Sequence, residues 1–512
     1  MMEQHRPTNQ SACKLNSAKN YNRLDWIQIR SYEQMNMPIE TENKSAMQSQ
    51  LDELLRLQRT SYRSEPAPTY ALRVKQLKEL KQALLTFQQP LADALNRDYG
   101  TRSVDDTLIS DIMPCINNIN YSLKNLKKWM KPSSRHAGLL LAPAKIKVHY
   151  QPVGVVGIIV PWNFPVMLSI GPLITALSAG NRAMLKLSEF TPETNKVLAQ
   201  MLSSIFDESL VAVVEGEADV AAAFSGLAFD HLLFTGSTTV GKHVMRAAAA
   251  NLTPVTLELG GKSPVVIAPD MPIDTAVERM IYGKCLNSGQ ICVAPDYVLV
   301  PKEKQAEFIA AYQKKFNAMY GKVSDNKDYG AIINQRQFDR LTSVLEDAKS
   351  RGATVVSAND EAIDTAKRKI PTQLITNVSD EMILMQDEIF GPLLPIVGYE
   401  TLNDSIKYIN ERPRPLALYI MSFDAQAQAN ILNNTHSGGV CINETVFHVA
   451  ADDAPFGGIG PSGMGHYHGK EGFLTLSHAK TVLSRGKLNT GKLVHPPYGT
   501  GIQAMLYKFF LR

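Results

Sequence analysis

From Gln151 to Gly180 the chain carries no charged residue, a run long enough on length alone to span a membrane. Pro152, Pro161, Pro165, Pro172 and Asn163 fall inside it, and the apolar segment VGVVGIIV ends abruptly at PWNFP. Proline lacks a backbone donor and interrupts a helix, so the run reads as a buried strand, a turn and a helix, not as a membrane span. A strand apolar at every position is buried on both faces, the pattern of a parallel sheet covered by helices.

The flanking sequence extends that reading. Upstream, LDELLRLQRT and ALRVKQLKELKQALLTFQQPLADALNRDYG place apolar residues at three-and-four spacing and read as helices, and SLKNLKKWMKP adds a helical segment that Pro132 stops. KIKVHYQP alternates and reads as a strand. Downstream, the strands NRAMLKLSE, SLVAVVEG and DHLLFTGS alternate with the helices TPETNKVLAQMLSSIF and STTVGKHVMRAAAAN. That order predicts an α/β fold, an open and mostly parallel sheet with helices on both faces. Residues 1–47, rich in Asn, Gln and Ser, are expected to be a disordered arm, with a start of translation as late as Met47.

With 53 basic and 49 acidic residues the net charge is +4, and no long Lys/Arg run marks a nucleic-acid footprint. Five cysteines (Cys13, Cys115, Cys285, Cys292, Cys441) without a CxxC pair suggest neither a disulfide framework nor a metal site, and fit a reduced, cytoplasmic setting. No apolar leader segment follows the first charges, so no signal peptide is expected.

The candidate chemistry concentrates in Cys292 of GQICVAPD and Glu258 of TLELGGK. A thiol and a carboxylate in glycine-rich surroundings can divide a two-step reaction, one attacking a carbonyl carbon and the other activating the water that cleaves the resulting thioester. An isolated Cys between Ile291 and Val293 is by itself more often an inert buried residue. Gly289 and Gln290 before it, Pro295 and Asp296 after it, and the glycines beside Glu258 favour a nucleophile, because glycines let backbone amides approach and the Cys292 N–H can serve as an oxyanion donor. In FTGSTTVGK the apolar run LLF ends at Thr235, and Gly236 to Gly241 opens a helix whose N–H groups and positive end can face a phosphate. Taken alone, an ordinary glycine turn entering a helix accounts for it as well. Lys186 and Glu189 in LKLSE follow a strand-like AMLK, where an acid accepts from ribose hydroxyls and a lysine donates to them; a solvated charge pair is the plainer alternative.

Seven segments in one order, PWNFP, KLSE, FTGSTTVGK, LELGGKSP, GQICVAPDYV, EIFGPLLP and PFGGIGPSGMGHYHG, resemble the NAD(P)-dependent aldehyde dehydrogenase superfamily over about residues 48–490. APDYV and GMGHYHGKEGF resemble its class 3 branch, which includes fatty and aromatic aldehyde dehydrogenases, and the closing KLVHPPYGTGIQAMLYKFFL is similar to bacterial coniferyl aldehyde dehydrogenases. The resemblance implies Cys292 as nucleophile, Glu258 as general base, and Asn163 as the amide that holds the oxyanion together with the Cys292 N–H. It places Lys186 and Glu189 at the adenosine ribose, and Gly236, Ser237, Thr238, Thr239, Val240 and Gly241 at the phosphates. Glu388 and Phe390 fall at the nicotinamide ribose and ring, and Ile159, Val160, Trp162 and Leu259 along the cofactor cleft. The presence of Glu258 implies hydrolysis of the thioester, not transfer to coenzyme A. NAD is expected, because Glu189 would repel a 2′-phosphate, while NADP stays open because the class 3 glutamate can swing aside.

Phe164, Met167, Ile291 and Val293 lie near the reacting atoms in sequence and suit an apolar aliphatic or aromatic aldehyde. His448 is read either as a residue of the funnel mouth or as a satisfied structural histidine. The architecture implied is a Rossmann-like cofactor domain (48–130 and 151–257), an α/β catalytic domain (258–457), a β-strand oligomerisation flap with its return segment (131–150 and 458–490) and a tail (491–512). The alternating KIKVHYQP and the short apolar LTLSHAKTVLS are consistent with paired strands, whose edges a homodimer would cover. The tail IQAMLYKFFLR is too short to span a bilayer and is expected to pack on a partner or to touch a membrane surface. A catalytically silent relative is the competing reading, and the joint retention of Cys292, Glu258 and Asn163 argues against it.

Overall fold

The computed structural model describes residues 46–511, so residues 1–45 of the expected arm lie outside the described residues. The chain divides into two units, Met1–Gln50 and Leu51–Arg512. A first helix covers 46–64, and Tyr70–Tyr99 and Met113–Trp129 follow as helices. Thr69 caps the second of these by accepting from the Leu72 N–H, and Gly100 ends it in a left-handed conformation at φ 77°. β1 (Ser133–Arg135) and β2 (Lys145–Pro152) then pair antiparallel, with Ser134 opposite Lys147.

The charge-free stretch becomes β3 (Val155–Ile159), buried at all five positions, then a turn and the helix Pro165–Ala179. Proline at the start of that helix costs no hydrogen bond, since the first N–H groups of a helix have no internal acceptor. β4 (Arg182–Lys186), β5 (Val211–Val214), β6 (His231–Thr235) and β7 (Val255–Glu258) follow, separated by the helices Pro192–Ser203, Ala218–Ser225 and Thr238–Ala249. These strands form a parallel sheet in the order β7-β6-β3-β4-β5. The chain moves from β3 outward to β5 and then returns to the other side of β3 with β6. Strand order therefore reverses between β3 and β6.

A second sheet is built from β8 (Pro264–Ile267), β9 (Tyr297–Pro301), β10 (Thr354–Ser357), β11 (Gln373–Thr376), β12 (Leu393–Tyr399), β13 (Ala417–Met421) and β14 (Gly439–Ile442). Its order is β10-β11-β12-β9-β8-β13-β14, parallel except for β10. Each sheet has its own apolar core, one centred on β3, β4 and the helix Pro165–Ala179, the other on β8, β9 and β13. The short β15 (Gly463–Met464) returns to the first sheet and sets Gly463 opposite Glu258. β16 (Ser477–Ser484) pairs antiparallel with the whole of β2, completing a three-stranded sheet. One detail differs from the sequence reading: the first residues of LTLSHAKTVLS end the helix Gly469–Thr475, because Phe473 is drawn against Trp129 and Tyr150, with ring centroids 5.7 and 6.3 Å away. No helix of the described residues is long and apolar enough to cross a membrane.

Candidate active site

The carboxyl ends of the first sheet frame the site. Ile159 on β3 lies beside Lys186 on β4 and Phe234 on β6, and Thr235 lies beside Glu258 on β7. This is the edge where strand order reverses, the place at which open α/β sheets bind ligands. A cavity of about 760 Å³ opens there, and Trp162, Asn163, Gly236, Ser237, Thr238, Thr239, Glu258, Cys292, Glu388 and Phe390 all line it. Ile159, Val160, Lys186, Glu189, Val240, Gly241 and Leu259 do not line it.

Those seven occupy supporting places. Ile159, Val160 and Leu259 are buried under the sheet edge. Gly241 is needed for close packing, since a Cβ there would stand 2.7 Å from Leu259 Cδ2. Lys186 is buried, with its ammonium 4.0 Å from the Glu189 carboxylate, and burial lowers its pKa against the pull of that carboxylate. Ser237 caps the helix Thr238–Ala249 by accepting from the Val240 N–H at 3.4 Å, so the free amides of the first turn face the cavity. The PFGGIGPSG segment braces this turn, because Thr238 Oγ1 donates to the Pro461 carbonyl (2.9 Å) and the Leu259 N–H to the Ser462 carbonyl (3.2 Å).

The residue types here suit a nucleotide cofactor. A helix N-terminus opens on the cavity, and Thr235 Oγ1 and Glu388 Oε1 are buried without a hydrogen-bond partner. Buried polar atoms are ordinarily satisfied, and phosphate and ribose groups offer the missing partners. Phe390, at φ 48°, sets its ring edge-on to Trp162 with centroids 5.2 Å apart.

Cys292 is reached through a left-handed turn in which Asn287, Ser288 and Gly289 have φ of 47°, 52° and 74°. Its side chain is partly exposed and lines the cavity. Burial pushes the thiol up to about 12, with the charges of Glu388 and Glu258 adding to the shift. Burial also raises Glu258 well above the usual carboxylate range, and neither of its oxygens has a partner. Glu388 is raised to about 8, first by burial and then by the charge of Asp296. Asn163 donates through Nδ2 to the Gln290 carbonyl at 3.1 Å, two residues before Cys292, which leaves its second N–H.

Sequence reasoning missed several residues. Asp296 pairs with Lys262 and accepts from the Ile389 N–H at 2.8 Å, so one carboxylate fastens the LELGGKSP, GQICVAPDYV and EIFGP segments together. Both residues stood within motifs already singled out, and only their pairing was invisible. Gln337, Arg340 and Arg414 also line the cavity from segments that carried no signal. The ring of His448 packs on Tyr419 and Phe456, burial lowers it to about 4, and neither ring nitrogen meets a protein partner among the described residues.

Comparison with known proteins decides the family. The Aldehyde dehydrogenase family model matches residues 37–482. This chain belongs to that family. The aldehyde dehydrogenase is 54% identical to a probable coniferyl aldehyde dehydrogenase of Pseudomonas aeruginosa, over 91% of this chain and 97% of that one. It also resembles the substrate-bound state of Staphylococcus aureus AldH, with a TM-score of 0.85 and 37% identity over 90% of this chain and 99% of that one. A Mycobacterium tuberculosis aldehyde dehydrogenase complexed with NAD+ matches with a TM-score of 0.79 and 28% identity over 86% and 92% of the two chains. The protein is thus an oxidoreductase acting on aldehydes, and the NAD+ complex among its neighbours supports a nicotinamide cofactor.

Proposed function

We propose that this enzyme oxidises an apolar aldehyde, aromatic such as coniferaldehyde or long-chain aliphatic, to the carboxylic acid, with NAD preferred and NADP admitted. The observation that carries the reading is the single cavity in which Cys292, Glu258 and Asn163 meet the phosphate turn. The likeness to a probable coniferyl aldehyde dehydrogenase supports the aromatic substrate. Phe164, Ile291 and Val293, buried in one cluster against which Met167 and Cys292 pack, support an apolar one.

In this reading the Cys292 thiolate adds to the carbonyl carbon, and the oxyanion is held by the free N–H of Asn163 and the Cys292 backbone N–H. Ser237, Thr238, Thr239, Glu388 and Phe390 would hold a nicotinamide cofactor beside Cys292, and that cofactor would supply the hydride acceptor the oxidation needs. Glu258 then removes a proton from the water that attacks the thioester, the acid leaves, and the thiol is restored. The cofactor domain would comprise 48–130 and 151–257 and the catalytic domain 258–457. The flap (131–150 with 458–490) would join two copies into a homodimer, because β16 lies almost wholly exposed. The exposed helix Gly501–Phe510 of the tail would serve as a peripheral contact, to the partner or to a membrane surface.

The test is the appearance of reduced NAD and NADP with straight-chain aldehydes, benzaldehyde and coniferaldehyde, beside Cys292→Ala. Turnover abolished by the substitution is expected. No reduction of either cofactor with any of these aldehydes would leave the silent relative in its place.

A further inference from the structure

Behind Asn163 lies a buried polar network that no catalytic step uses. The Asn163 backbone carbonyl accepts from Arg102 Nη1 at 2.6 Å, from the Tyr99 hydroxyl at 3.2 Å and from Asn287 Nδ2 at 3.2 Å. Arg102 Nη2 donates to Asp111 at 2.7 Å, and the two side chains are 1% and 0% exposed. The other Asp111 oxygen accepts from the Met167 N–H at 2.9 Å, so the ion pair grips the chain on both sides of the turn between Asn163 and Met167. The guanidinium is sandwiched 4.9 Å from the centroids of both the Tyr99 and Phe164 rings, which fixes its plane. Asp111 lies in a π-helical turn, Leu108–Ile112, a distortion common at functional sites.

The network also reaches the cysteine loop. Asn287, in the strained left-handed turn, donates to the Gln290 carbonyl at 3.3 Å, and the same carbonyl accepts from the Asn163 side chain. A buried ion pair is a poor device for stability, because desolvation offsets its attraction and apolar replacements often fold as well. Here its polar atoms are spent on the Asn163–Met167 segment, with only Arg102 Nε left without a partner.

We infer that Arg102 and Asp111 are positioning residues for the oxyanion hole, locking the Asn163 backbone and tying it through Asn287 to the loop that presents Cys292. The inference rests on the reading of Asn163 as an oxyanion donor. A donor displaced by an ångström or less loses much of its effect on the transition state while substrate and cofactor still bind.

The experiment combines Asp111→Asn, Arg102→Met and Arg102→Lys, each alone and with Asn163→Ala. The readouts are kcat, the aldehyde KM, the NAD dissociation constant by calorimetry and the thermal midpoint. Asp111→Asn and Arg102→Met should lower kcat by roughly 10- to 100-fold with NAD affinity kept within about twofold, and Arg102→Lys should recover part of the loss. In the Asn163→Ala background the same substitutions should cost little more, because the group they position is gone. Full multiplication of the losses there, or NAD affinity falling in step with kcat, would overturn the inference. Should the charged variants not fold, Tyr99→Phe deletes one donor to the same carbonyl and must show the same dependence on Asn163. If Asn163→Ala alone leaves kcat intact, the oxyanion reading fails, and the inference falls with it by a different signature.

Discussion

At the scale of single residues, burial of the two reacting groups disfavours the charged form of each. The Cys292 thiol, at about 12, is almost entirely protonated at neutral pH, with a thiolate fraction on the order of one in 10⁵ before any ligand is bound. Since a thiol gains its reactive form as pH rises, alkylation of Cys292 in the cofactor-free enzyme should accelerate about tenfold per pH unit from 7 to 10 without a plateau. Iodoacetamide labelling followed by peptide mass analysis reads this directly, and saturation below pH 9 would contradict it. Glu258 belongs to the later step. Glu258→Gln should therefore still give a burst of about one reduced cofactor per site, then turn over roughly 100-fold more slowly, in rapid-mixing experiments. Loss of the burst as well would assign Glu258 to activation of the thiol instead.

At the scale of elements, the loop Leu286–Cys292 shows what a sequence conveys and what it withholds. Glycine at 289 was legible as a sign of tight backbone approach, and the structure gives the reason: a Cβ there would stand 2.5 Å from the Gly391 carbonyl oxygen, at a φ of 74°. Both obstacles are backbone, so neither yields cheaply. Gly289→Ala is expected to cut kcat by more than about 100-fold by displacing the cysteine, measured with coniferaldehyde at saturating NAD. Near-normal turnover would mean the loop adapts. Asn287 and Ser288 were not legible, because left-handed conformations at those residues are imposed by distant partners, the Asn163 and Gly330 carbonyls. The alternating strands and helices of residues 151–257 could be read because local period and burial agree there. The Lys262–Asp296 pair, 34 residues apart, and the Arg102–Asp111 pair, nine apart, could not, since a side-chain pairing set by the tertiary fold leaves no periodic mark on one sequence.

At the scale of the whole molecule, three histidines, His231 and His468 buried and His448 partly exposed, tie stability to pH through their lowered pKa values. His231 on β6 meets Thr256 on β7 at 2.8 Å, while His448 and His468 flank Phe456, at centroid distances of 5.9 and 5.3 Å. Burial lowers all three to about 4. An unfolded chain takes up these protons near pH 6.5, so between about 6.5 and 4 the unfolded state binds more protons than the folded one. Stability is therefore complete above that window and is lost as pH falls through it. Each group can cost at most on the order of 3 kcal/mol once the window is crossed, a large share of the roughly 5–15 kcal/mol that holds a typical domain folded. The thermal midpoint should fall steeply between pH 6 and 4.5. His468→Phe, which keeps an aromatic ring stacked on Phe456 and removes one titrating group, should flatten that fall while leaving the midpoint at pH 8 within a few degrees. Scanning calorimetry across the window checks both. An unchanged slope in the variant would place the acid sensitivity in carboxylates that lose their partners, because those too are protonated as the pH drops but are untouched by the substitution.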